Sequence, residues 1–458
     1  MNIAMLSKRI LIIGAGPTGL GAAYEIQELG YKNWNIYEKE NKIGGLASSF
    51  KDNKSFLWDL GGHVMFSRNK RFNKLVDFLM GDEFISHERK SFIRIMNKWI
   101  PYPFQNNIRY LPKALMLQCL SDFIKTYDTA RRFSNFEEWI TGTFGKSMAE
   151  IFFMPYNSKT WAVPLNSMSY DWIRERISIV DAKRLLRNIQ TKVDDTDWGP
   201  NNKFKFPLFG GTGGFFGKFE KFVSDKIFYN KKLVSVDARA KTLRFSDGSK
   251  DKYDILINTS PLDVFVKMLK VKKQQKAVLE ARARKLKYNS IFVVGIGLKK
   301  KIKGDKCWVY FPEKNIPFNR MTYFSYYSPN NVPCGDARNY SSLMCEVSFS
   351  KHKPVNEQTL IGFVVKGLVK SGILSKGDLK KIVSVWSKKV DYAYPIPTLD
   401  RDDCLAHIQC FLENKNIYSR GRFGAWKYEI GNMDHSVLMG IEVIEKIFKK
   451  KKEKIWSL

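Results

Sequence analysis

The feature that most constrains this chain is a glycine motif between a short apolar strand and a helix. Arg9–Ile13 is a β-branched run that predicts a buried strand. Gly14–Gly19 follows at once with the spacing GxGxxG, and Leu20–Leu29 then has helical character. Trp34–Tyr37 predicts a second strand. This order predicts the βαβ unit that opens a Rossmann-type domain.

Each glycine of the motif has its own physical role in binding a dinucleotide. Gly14 permits the tight turn, Gly16 lets the backbone approach a pyrophosphate, and Gly19 lets helix and strand pack closely. The helix N-terminus adds unpaired N–H groups and a partial positive charge. Glu38, at the end of the second strand, is predicted to accept hydrogen bonds from an adenosine ribose. The alternative is a glycine turn that binds no ligand.

Two further glycine pairs follow the motif. Gly44 and Gly45 come shortly after Glu38, and Gly61 and Gly62 follow a strand-like stretch. Adjacent glycines let the backbone approach a flat or charged group closely. Either pair alone is equally compatible with a structural turn. Together with the GxGxxG motif they favour flavin adenine dinucleotide (FAD) over NAD as the cofactor.

The charge balance is strongly basic. The 458 residues include 77 Lys and Arg against 45 Asp and Glu, a formal net charge of +32. An anionic substrate, a nucleic-acid or membrane surface, and a general lysine bias each explain it, and the frequent lysine, asparagine and isoleucine favour the bias. Charge of this size also raises encounter rates with phosphorylated ligands. Because no nucleic-acid-binding motif is present, we expect no nucleic-acid partner.

Several features predict a cytoplasmic protein without a metal site. No uninterrupted apolar stretch reaches the roughly 20 residues that span a bilayer, and Met1–Arg9 lacks a signal-peptide pattern. The six cysteines are scattered without a CxxC pair, which is typical of reduced thiols. Cys404, His407 and Cys410 are spaced along one predicted helix, and we interpret that spacing as incidental.

The remaining patterns predict helices and then a sheet. Leu111–Ile189 is mainly helical, with Phe136, Trp139 and Ile140 as core residues. Asn289–Glu346 alternates apolar and polar residues, which indicates a mixed or antiparallel sheet. Near the end of the chain, Val437, Ile441, Ile444 and Phe448 share one helical face, and Lys449–Lys454 follow them. That basic segment is compatible with contact to an anionic membrane, but we favour a solvated last helical turn.

Long matching segments show that the sequence resembles the UDP-galactopyranose mutases, in their eukaryotic-type branch, from about Ile10 to Leu438. The segments are Trp58-Asp59-Leu60-Gly61-Gly62-His63-Val64, Pro101-Tyr102-Pro103-Phe104-Gln105-Asn106-Asn107, Pro155-Tyr156-Asn157, Trp161-Ala162-Val163-Pro164, Gly210-Gly211-Thr212-Gly213-Gly214, Gly304-Asp305-Lys306-Cys307-Trp308, Gly421-Arg422-Phe423-Gly424 and Asp434-His435-Ser436.

The resemblance implies an isomerase that needs reduced FAD although its reaction has no net redox change. The family interconverts UDP-galactopyranose and UDP-galactofuranose: N5 of the reduced flavin attacks the anomeric carbon, UDP leaves, and the sugar ring opens and recloses before UDP returns. NADPH or NADH is implied as the external reductant. The mechanism also explains why the five histidines form no Ser-His-Asp arrangement.

The resemblance also implies roles for individual residues. The catalytic residues are Gly62, whose carbonyl is expected near flavin N5, with His63, Arg176 and Arg320. Arg176 and Arg320 are implied to bind the diphosphate, and guanidinium groups suit phosphate oxygens. The implied flavin contacts, besides Gly14, Gly16, Gly19, Glu38, Gly44, Gly45, Gly61 and Gly62, are Arg422, Asn432 and Ser436. The other implied substrate residues are Tyr102, Gln105, Asn157, Trp161, Asn201, Trp308, Tyr310, Tyr327, Tyr394 and Tyr428.

The predicted fold is α/β, with an inserted helical domain and a mainly antiparallel β-sheet domain. Residues 1–80, 205–262 and 405–458 are assigned to the Rossmann-type FAD-binding domain and residues 105–204 to the helical substrate domain. Residues 81–104 and 263–404 are assigned to the β-sheet substrate domain. Assembly into a homo-oligomer is compatible with this organisation.

Three alternatives to this function stay open. Asn319 stands where the family is expected to have an aromatic residue, and Tyr326 where a smaller polar residue is common. Both flank implied substrate residues, so a mutase for a related UDP-sugar is one alternative. A redox flavoenzyme of the amine-oxidase type is the second, since it shares the glycine motifs. A non-catalytic FAD-binding or membrane-surface protein is the third.

Overall fold

A computed structural model describes residues 7–127, 132–173, 176–199 and 201–457. The strands are β1 (Ile10–Ile13), β2 (Trp34–Tyr37), β3 (Ser49–Lys51), β4 (Leu57–Asp59), β5 (Phe84–Glu88), β6 (Ser91–Ile95), β7 (Lys98–Pro101), β8 (Lys203–Pro207), β9 (Ile227–Phe228), β10 (Leu233–Asp237), β11 (Thr242–Phe245), β12 (Lys250–Lys252), β13 (Ile255–Asn258), β14 (Leu269–Lys270), β15 (Lys287–Leu298), β16 (Trp308–Tyr310), β17 (Arg320–Tyr323), β18 (Ser341–Phe349), β19 (Ile382–Ile396) and β20 (Ile417–Ser419).

The α-helices lie between these strands. They are α1 (Pro17–Glu28), α2 (Lys70–Met80), α3 (Lys113–Tyr127), α4 (Phe136–Met148), α5 (Met154–Trp161), α6 (Ala182–Thr191), α7 (Gly211–Gly217), α8 (Glu220–Val223), α9 (Leu262–Met268), α10 (Lys273–Ala283), α11 (Phe324–Tyr327), α12 (Glu357–Lys370), α13 (Arg401–Glu413) and α14 (Met433–Lys449).

The first sheet is parallel and confirms the Rossmann-type prediction. Its order is β20-β13-β1-β2-β9, and β1 pairs in parallel with both β13 and β2. Every residue of β1 is buried, because helices cover both faces of such a sheet. Helix α1 begins at Pro17, where the fixed φ of proline suits the first helical turn, three residues before the predicted start. The turn that joins β1 to α1 therefore lies at the carboxyl edge of the sheet.

A larger sheet forms the second layer of the fold. Its order is β19-β15-β18-β17-β16-β6-β7, and its pairs are antiparallel except for β16 with β6. This confirms the mainly antiparallel prediction. Gly295 and Gly297 in β15 have a packing reason: a Cβ there would lie 2.6 Å from the Trp58 ring and 2.7 Å from the Phe56 ring respectively. Small residues thus let the aromatic strand β4 lie flat on this sheet.

Helices α3 to α6 form the predicted helical region. Phe136 and Ile140 are fully buried and Trp139 nearly so, as the helical spacing predicted. They share a core with Phe144 and Phe153, whose rings stack 4.0 Å apart. Strands β6 and β7 come early in the chain yet belong to the seven-stranded sheet. The division into three domains stays a prediction.

The C-terminal helix packs along the helix of the glycine motif. A Cβ on Gly21 would overlap the Val437 carbonyl, and one on Gly440 the Thr18 carbonyl, so α1 and α14 approach closely because these positions lack side chains. Val437 and Ile441 are fully buried, which confirms the predicted apolar face.

The basic segment at the end differs from its prediction. Lysines 449–452 are exposed as expected, but α14 ends at Lys449 and no solvated helical turn follows. The chain instead folds back, and Glu453 and Ile455 are buried. Across the described ranges, no helix has both the length and the apolar character needed to cross a membrane.

Candidate active site

The turn between β1 and α1 has the geometry of a dinucleotide cradle. Gly14 has a φ of +96° and donates its N–H to the Tyr37 carbonyl at 2.8 Å. A Cβ on Gly19 would overlap the Gly14 carbonyl. Gly16 caps α1 without a side chain, so the first-turn N–H groups of this helix are free of a side-chain cap. Such a terminus binds phosphate oxygens well.

Glu38 has a second role that the sequence did not indicate. Its carboxylate accepts hydrogen bonds from the N–H groups of Ala15, at 2.7 Å, and Glu40, at 2.9 Å, so it holds the glycine turn. It is 5% exposed, and burial raises its pKa. A carboxylate has about four acceptor sites, so this arrangement leaves room for the predicted ribose contact, which stays a prediction.

The first glycine pair packs directly against the motif. Gly44 and Gly45 have φ values of +107° and +53°, and Gly44 donates its N–H to the Ala15 carbonyl at 2.9 Å. A Cβ on Gly45 would lie 3.1 Å from the Cα of Gly16. The two glycine segments are separated in the sequence, yet together they form one wall that carries no side chains. The residues present fit the diphosphate of FAD.

A cleft of about 820 Å³ lies next to this cradle, between the two large sheets and the helical region. Its size is in the range of sites that bury cofactors and small substrates. The predicted residues that line it are Gly61, Gly62, His63, Tyr102, Gln105, Asn157, Trp161, Arg176, Asn201, Trp308, Tyr310, Arg320, Tyr394, Arg422, Tyr428 and Asn432. Gly14, Gly16, Gly19, Glu38, Gly44 and Gly45 lie at the turn described above, and Ser436 is buried in the first turns of α14.

Tyr327 is not among the residues that line the cleft, and its implied substrate role stays a prediction. It lies on the short helix α11, which follows β17. The ring is fully buried and packs 5.1 Å from Phe206 and 5.4 Å from Phe204.

The Gly61–His63 loop forms one wall of the cleft. Gly61 has a φ of +138°, and a Cβ on Gly62 would lie 2.6 Å from the Thr322 hydroxyl. Burial, with the charges of Arg422 and Arg320, lowers the pKa of His63 to about 3, so its imidazole is neutral near pH 7. Its Nδ1 has no hydrogen-bond partner among the residues that the structure describes. The loop thus presents backbone and a neutral ring to a flat ligand.

Arg320 is held by a buried carboxylate that the sequence analysis missed. Its Nε and Nη2 donate to the two oxygens of Glu346 at 2.7 and 2.9 Å, and Glu346 is 1% exposed. The same carboxylate accepts the Gly62 N–H at 3.0 Å. The only signal in the sequence was a lone acidic residue in the otherwise uncharged strand β18. The structure pairs it in register with Arg320. Glu346 therefore connects the predicted diphosphate anchor to the predicted flavin loop.

Arg176 is anchored to the C-terminal segment. Its Nη1 donates to Asn432 Oδ1 at 2.7 Å and its Nη2 to the Glu429 carbonyl at 2.6 Å, while its guanidinium lies 5.1 Å from the Tyr428 ring. Because Asn432 is engaged with Arg176, it does not cap α14 with its side chain. The uncapped N-terminus of a long helix thus meets the cleft, where it suits a partial negative charge.

An arginine that the sequence analysis missed organises another wall of the cleft. Arg89 is buried and donates to Asn201 Oδ1 at 2.7 Å and to the carbonyls of Thr196 and Trp198 at 2.7 and 2.6 Å. Its guanidinium lies 5.2 Å from the Tyr102 ring. Asn201, an implied sugar contact, is thus already hydrogen-bonded in this structure.

Aromatic side chains line the end of the cleft near Tyr102. Tyr310 lies 5.2 Å from Tyr102 and 5.3 Å from Tyr156, and Phe152 stacks on Tyr156 at 5.5 Å. Phe152 and Tyr156 were not singled out from the sequence, although their spacing places both on one helical face. Stacked rings at this end suit a planar base.

The cations outnumber the unpaired acids around the cleft. Arg176, Arg320 and Arg422 line it, and burial lowers the pKa of Arg422. Glu429 also lines it but is paired with Arg401 at 2.8 and 2.9 Å. A diphosphate matches three guanidinium groups in charge and geometry.

No described part of the chain brings together three or more His, Cys, Asp or Glu side chains that could hold a metal ion. Cys404 is buried and Cys410 is exposed, on different sides of α13.

Comparisons with known proteins show which family and which folds this chain resembles. The family described as flavin containing amine oxidoreductase matches residues 17–409. A crystal structure of reduced UDP-galactopyranose mutase is 42% identical, with a TM-score of 0.95 over 99% of this chain and 96% of that chain. A putative protoporphyrinogen oxidase from Exiguobacterium sp. 255-15 shares the fold, with a TM-score of 0.74 at 16% identity over 97% of this chain and 99% of that chain.

One curated relative matches over a shorter stretch. It is the probable flavin-containing monoamine oxidase A of Dictyostelium discoideum, 32% identical over 120 residues. The match spans 26% of this chain and 25% of that protein, so this chain covers about a quarter of that relative's length.

Proposed function

Because this chain belongs to the flavin-containing amine oxidoreductases and, within them, to the UDP-galactopyranose mutases, we propose that it interconverts UDP-galactopyranose and UDP-galactofuranose with reduced FAD. The observation that carries the proposal is the pairing of Arg320 with the Gly62 loop through Glu346. This pairing supports the proposal, because it holds the arginine expected to bind the diphosphate beside the place where the flavin ring is expected. An oxidase has no use for such an anchor.

The substrate is positioned by residues on three walls. Arg320 makes no hydrogen bond through Nη1 within the described ranges, so that donor is available to a phosphate oxygen. Tyr102, Tyr156 and Tyr310 would stack with and enclose the uracil. Held in this way, the sugar needs little further chemistry from the protein, because positioning alone removes much of a reaction barrier.

The cofactor supplies the reactive group. Bound and reduced, FAD would provide N5 as the nucleophile for a covalent flavin–sugar adduct, after which the ring opens and recloses. The protein's part is to hold FAD at the Gly14–Gly19 turn and to present the Gly62 backbone beside it. His63 stays neutral there and adds no charge near the reacting centre. NADPH or NADH is expected to deliver the hydride that reduces FAD.

Two alternatives remain as competing proposals. A redox flavoenzyme is favoured by the amine oxidoreductase family match, but it does not explain the arginines or the tyrosines of the cleft. A mutase for a related UDP-sugar is favoured by Asn319, which lines the cleft beside Arg320 and has an unpartnered Oδ1 among described neighbours. A homo-oligomer and a cytoplasmic location stay predictions.

One anaerobic assay separates these functions. Dithionite-reduced protein is mixed with UDP-galactofuranose, and the products are separated by chromatography. We expect UDP-galactopyranose from reduced protein, none from oxidised protein, and no stoichiometric use of NADPH. Equal turnover by oxidised protein would contradict the mechanism in which the flavin is the nucleophile. In a separate aerobic assay without dithionite, oxygen consumption with an amine would support the oxidase. Turnover of only an N-acetylated analogue in the anaerobic assay would support the related mutase.

A further inference from the structure

The folded-back end of the chain makes contacts that the proposed reaction does not explain. We call residues 450–457 the C-terminal strap. Lys450 adopts a left-handed conformation with a φ of +57°, which reverses the chain after α14. Ile455 donates its N–H to Glu442 at 2.8 Å and lines the cleft. Glu453 is 3% exposed although its neighbouring lysines face solvent.

Glu453 is buried because it neutralises a buried arginine. Arg420 has no exposed surface, and its Nε and Nη2 donate to the two Glu453 oxygens at 2.6 and 2.7 Å. Nη2 also reaches Glu413 at 2.6 Å, and the Trp456 ring lies 4.4 Å from the guanidinium. The strap thus supplies both a bidentate partner and an aromatic cover. Without Glu453, Arg420 would keep only Glu413 as a carboxylate partner among the described residues, and a buried cation that loses a partner is destabilised.

Arg420 stands at the start of the turn that carries Arg422. Its N–H donates to the Asn258 carbonyl at 2.9 Å, at the carboxyl end of β13. Gly421 follows with a φ of +90°, and a Cβ there would lie 2.6 Å from the Thr18 hydroxyl in the first turn of α1. Arg422 then lines the cleft and donates to the Gly431 carbonyl at 2.9 Å. Three consecutive residues therefore contact the strap, the dinucleotide cradle and the cleft.

We propose that the C-terminal strap is a positioning element for FAD, because Glu453 holds buried Arg420 and so keeps Gly421 against the cradle and Arg422 in the cleft wall. The proposal rests on the proposed cofactor. It assigns Glu453 and Trp456 no contact with FAD. Their effect passes through the 420–422 turn, whose backbone approaches α1 where the diphosphate is expected.

The test measures FAD binding to apoprotein, by flavin fluorescence, together with the melting temperatures of apoprotein and holoprotein. Glu453→Gln keeps the side-chain shape and removes the charge. We expect it to weaken FAD binding about tenfold or more, a change of ~1.4 kcal/mol or more, and to shrink the gain in melting temperature that FAD gives. Asp195→Asn is the matched control, because Asp195 is a buried carboxylate bonded to Arg184 at 2.5 and 2.6 Å away from this turn.

Three outcomes are decisive. FAD affinity of Glu453→Gln equal to that of Asp195→Asn, with apoprotein and holoprotein destabilised alike, overturns the proposal and makes the strap purely structural. If Glu453→Gln does not fold, Trp456→Leu decides in its place, since it keeps an apolar cover and every charge. Unchanged FAD affinity in Trp456→Leu would then overturn it. A wild-type protein that binds no FAD contradicts the proposed function itself, whatever the variants do.

Discussion

At the scale of single residues, Arg320 is the best test of substrate binding. Its Nε and Nη2 donate hydrogen bonds to Glu346, so Nη1 is available to a phosphate. Arg320→Ala removes a charged hydrogen bond worth ~1.5–3 kcal/mol, so UDP should bind roughly tenfold to a hundredfold more weakly. Calorimetric titration of UDP measures this. Arg282→Ala is the control, because Arg282 pairs with the exposed Asp403. Equal affinities of the two variants would contradict the assignment.

His63 tests the chemical step separately from substrate binding. It lines the cleft in a loop shaped by Gly61 and Gly62. His63→Ala should lower kcat by about a hundredfold, since a misplacement of 1 Å costs that much, while UDP affinity stays near wild type. Steady-state kinetics, UDP titration and the flavin reduction potential are measured on one variant. A normal kcat with an unshifted potential would make His63 a packed loop residue.

The same histidine should affect how the free energy of unfolding depends on pH. Its pKa is about 3 in the folded protein and about 6.5 when unfolded. Between these values the unfolded chain binds more protons, so His63 contributes stability that is present above pH ~6.5 and lost as the pH falls. His63→Gln should therefore have a shallower loss of unfolding free energy between about pH 6.5 and 4.5 than wild type. Urea titrations across this range measure it, and parallel curves would contradict the buried, neutral histidine.

At the scale of elements, the β1–α1 turn depends on the absence of a side chain at Gly19. Gly19→Ala would place a methyl group on the Gly14 carbonyl, forcing the turn out of its shape. We expect loss of FAD from the purified variant, measured by absorbance after denaturation. Gly217→Ala is matched, because a Cβ at Gly217 meets no atom within 4 Å and its φ is not positive. Full FAD content in Gly19→Ala would show that the turn does not hold the cofactor.

At the scale of the whole molecule, FAD should join the parallel sheet to the cleft and so stabilise the fold. Ligand that binds only the folded state adds ~2.7 kcal/mol at 100 times its Kd. The melting temperature of apoprotein should therefore rise with FAD concentration. Riboflavin, which lacks the diphosphate bound at the Gly14–Gly19 turn, should raise it much less. Equal effects of the two ligands would mean that the cradle contributes little.

The local parts of this protein could be predicted from the sequence. The strand, glycine turn and helix around Gly14 are defined by neighbours a few residues apart, and the apolar face of α14 follows from helical spacing. The residues of the cleft were predicted from motifs shared with a family, because such a resemblance identifies site positions that hydrophobic periodicity does not reveal. The glycine motif and the helical spacing are properties of neighbouring residues in the chain, so they can be recognised without knowing the tertiary structure.

Only the tertiary structure decided the partners of the buried charges. Glu346 meets Arg320 through the register of two antiparallel strands, and Glu453 meets Arg420 because the chain reverses after α14. Such contacts depend on the packing of elements distant in sequence, and a single acidic residue in an otherwise uncharged strand does not specify which cation it will neutralise. The sequence by itself therefore determined the cofactor cradle, whereas the fold determined which charges hold it in place.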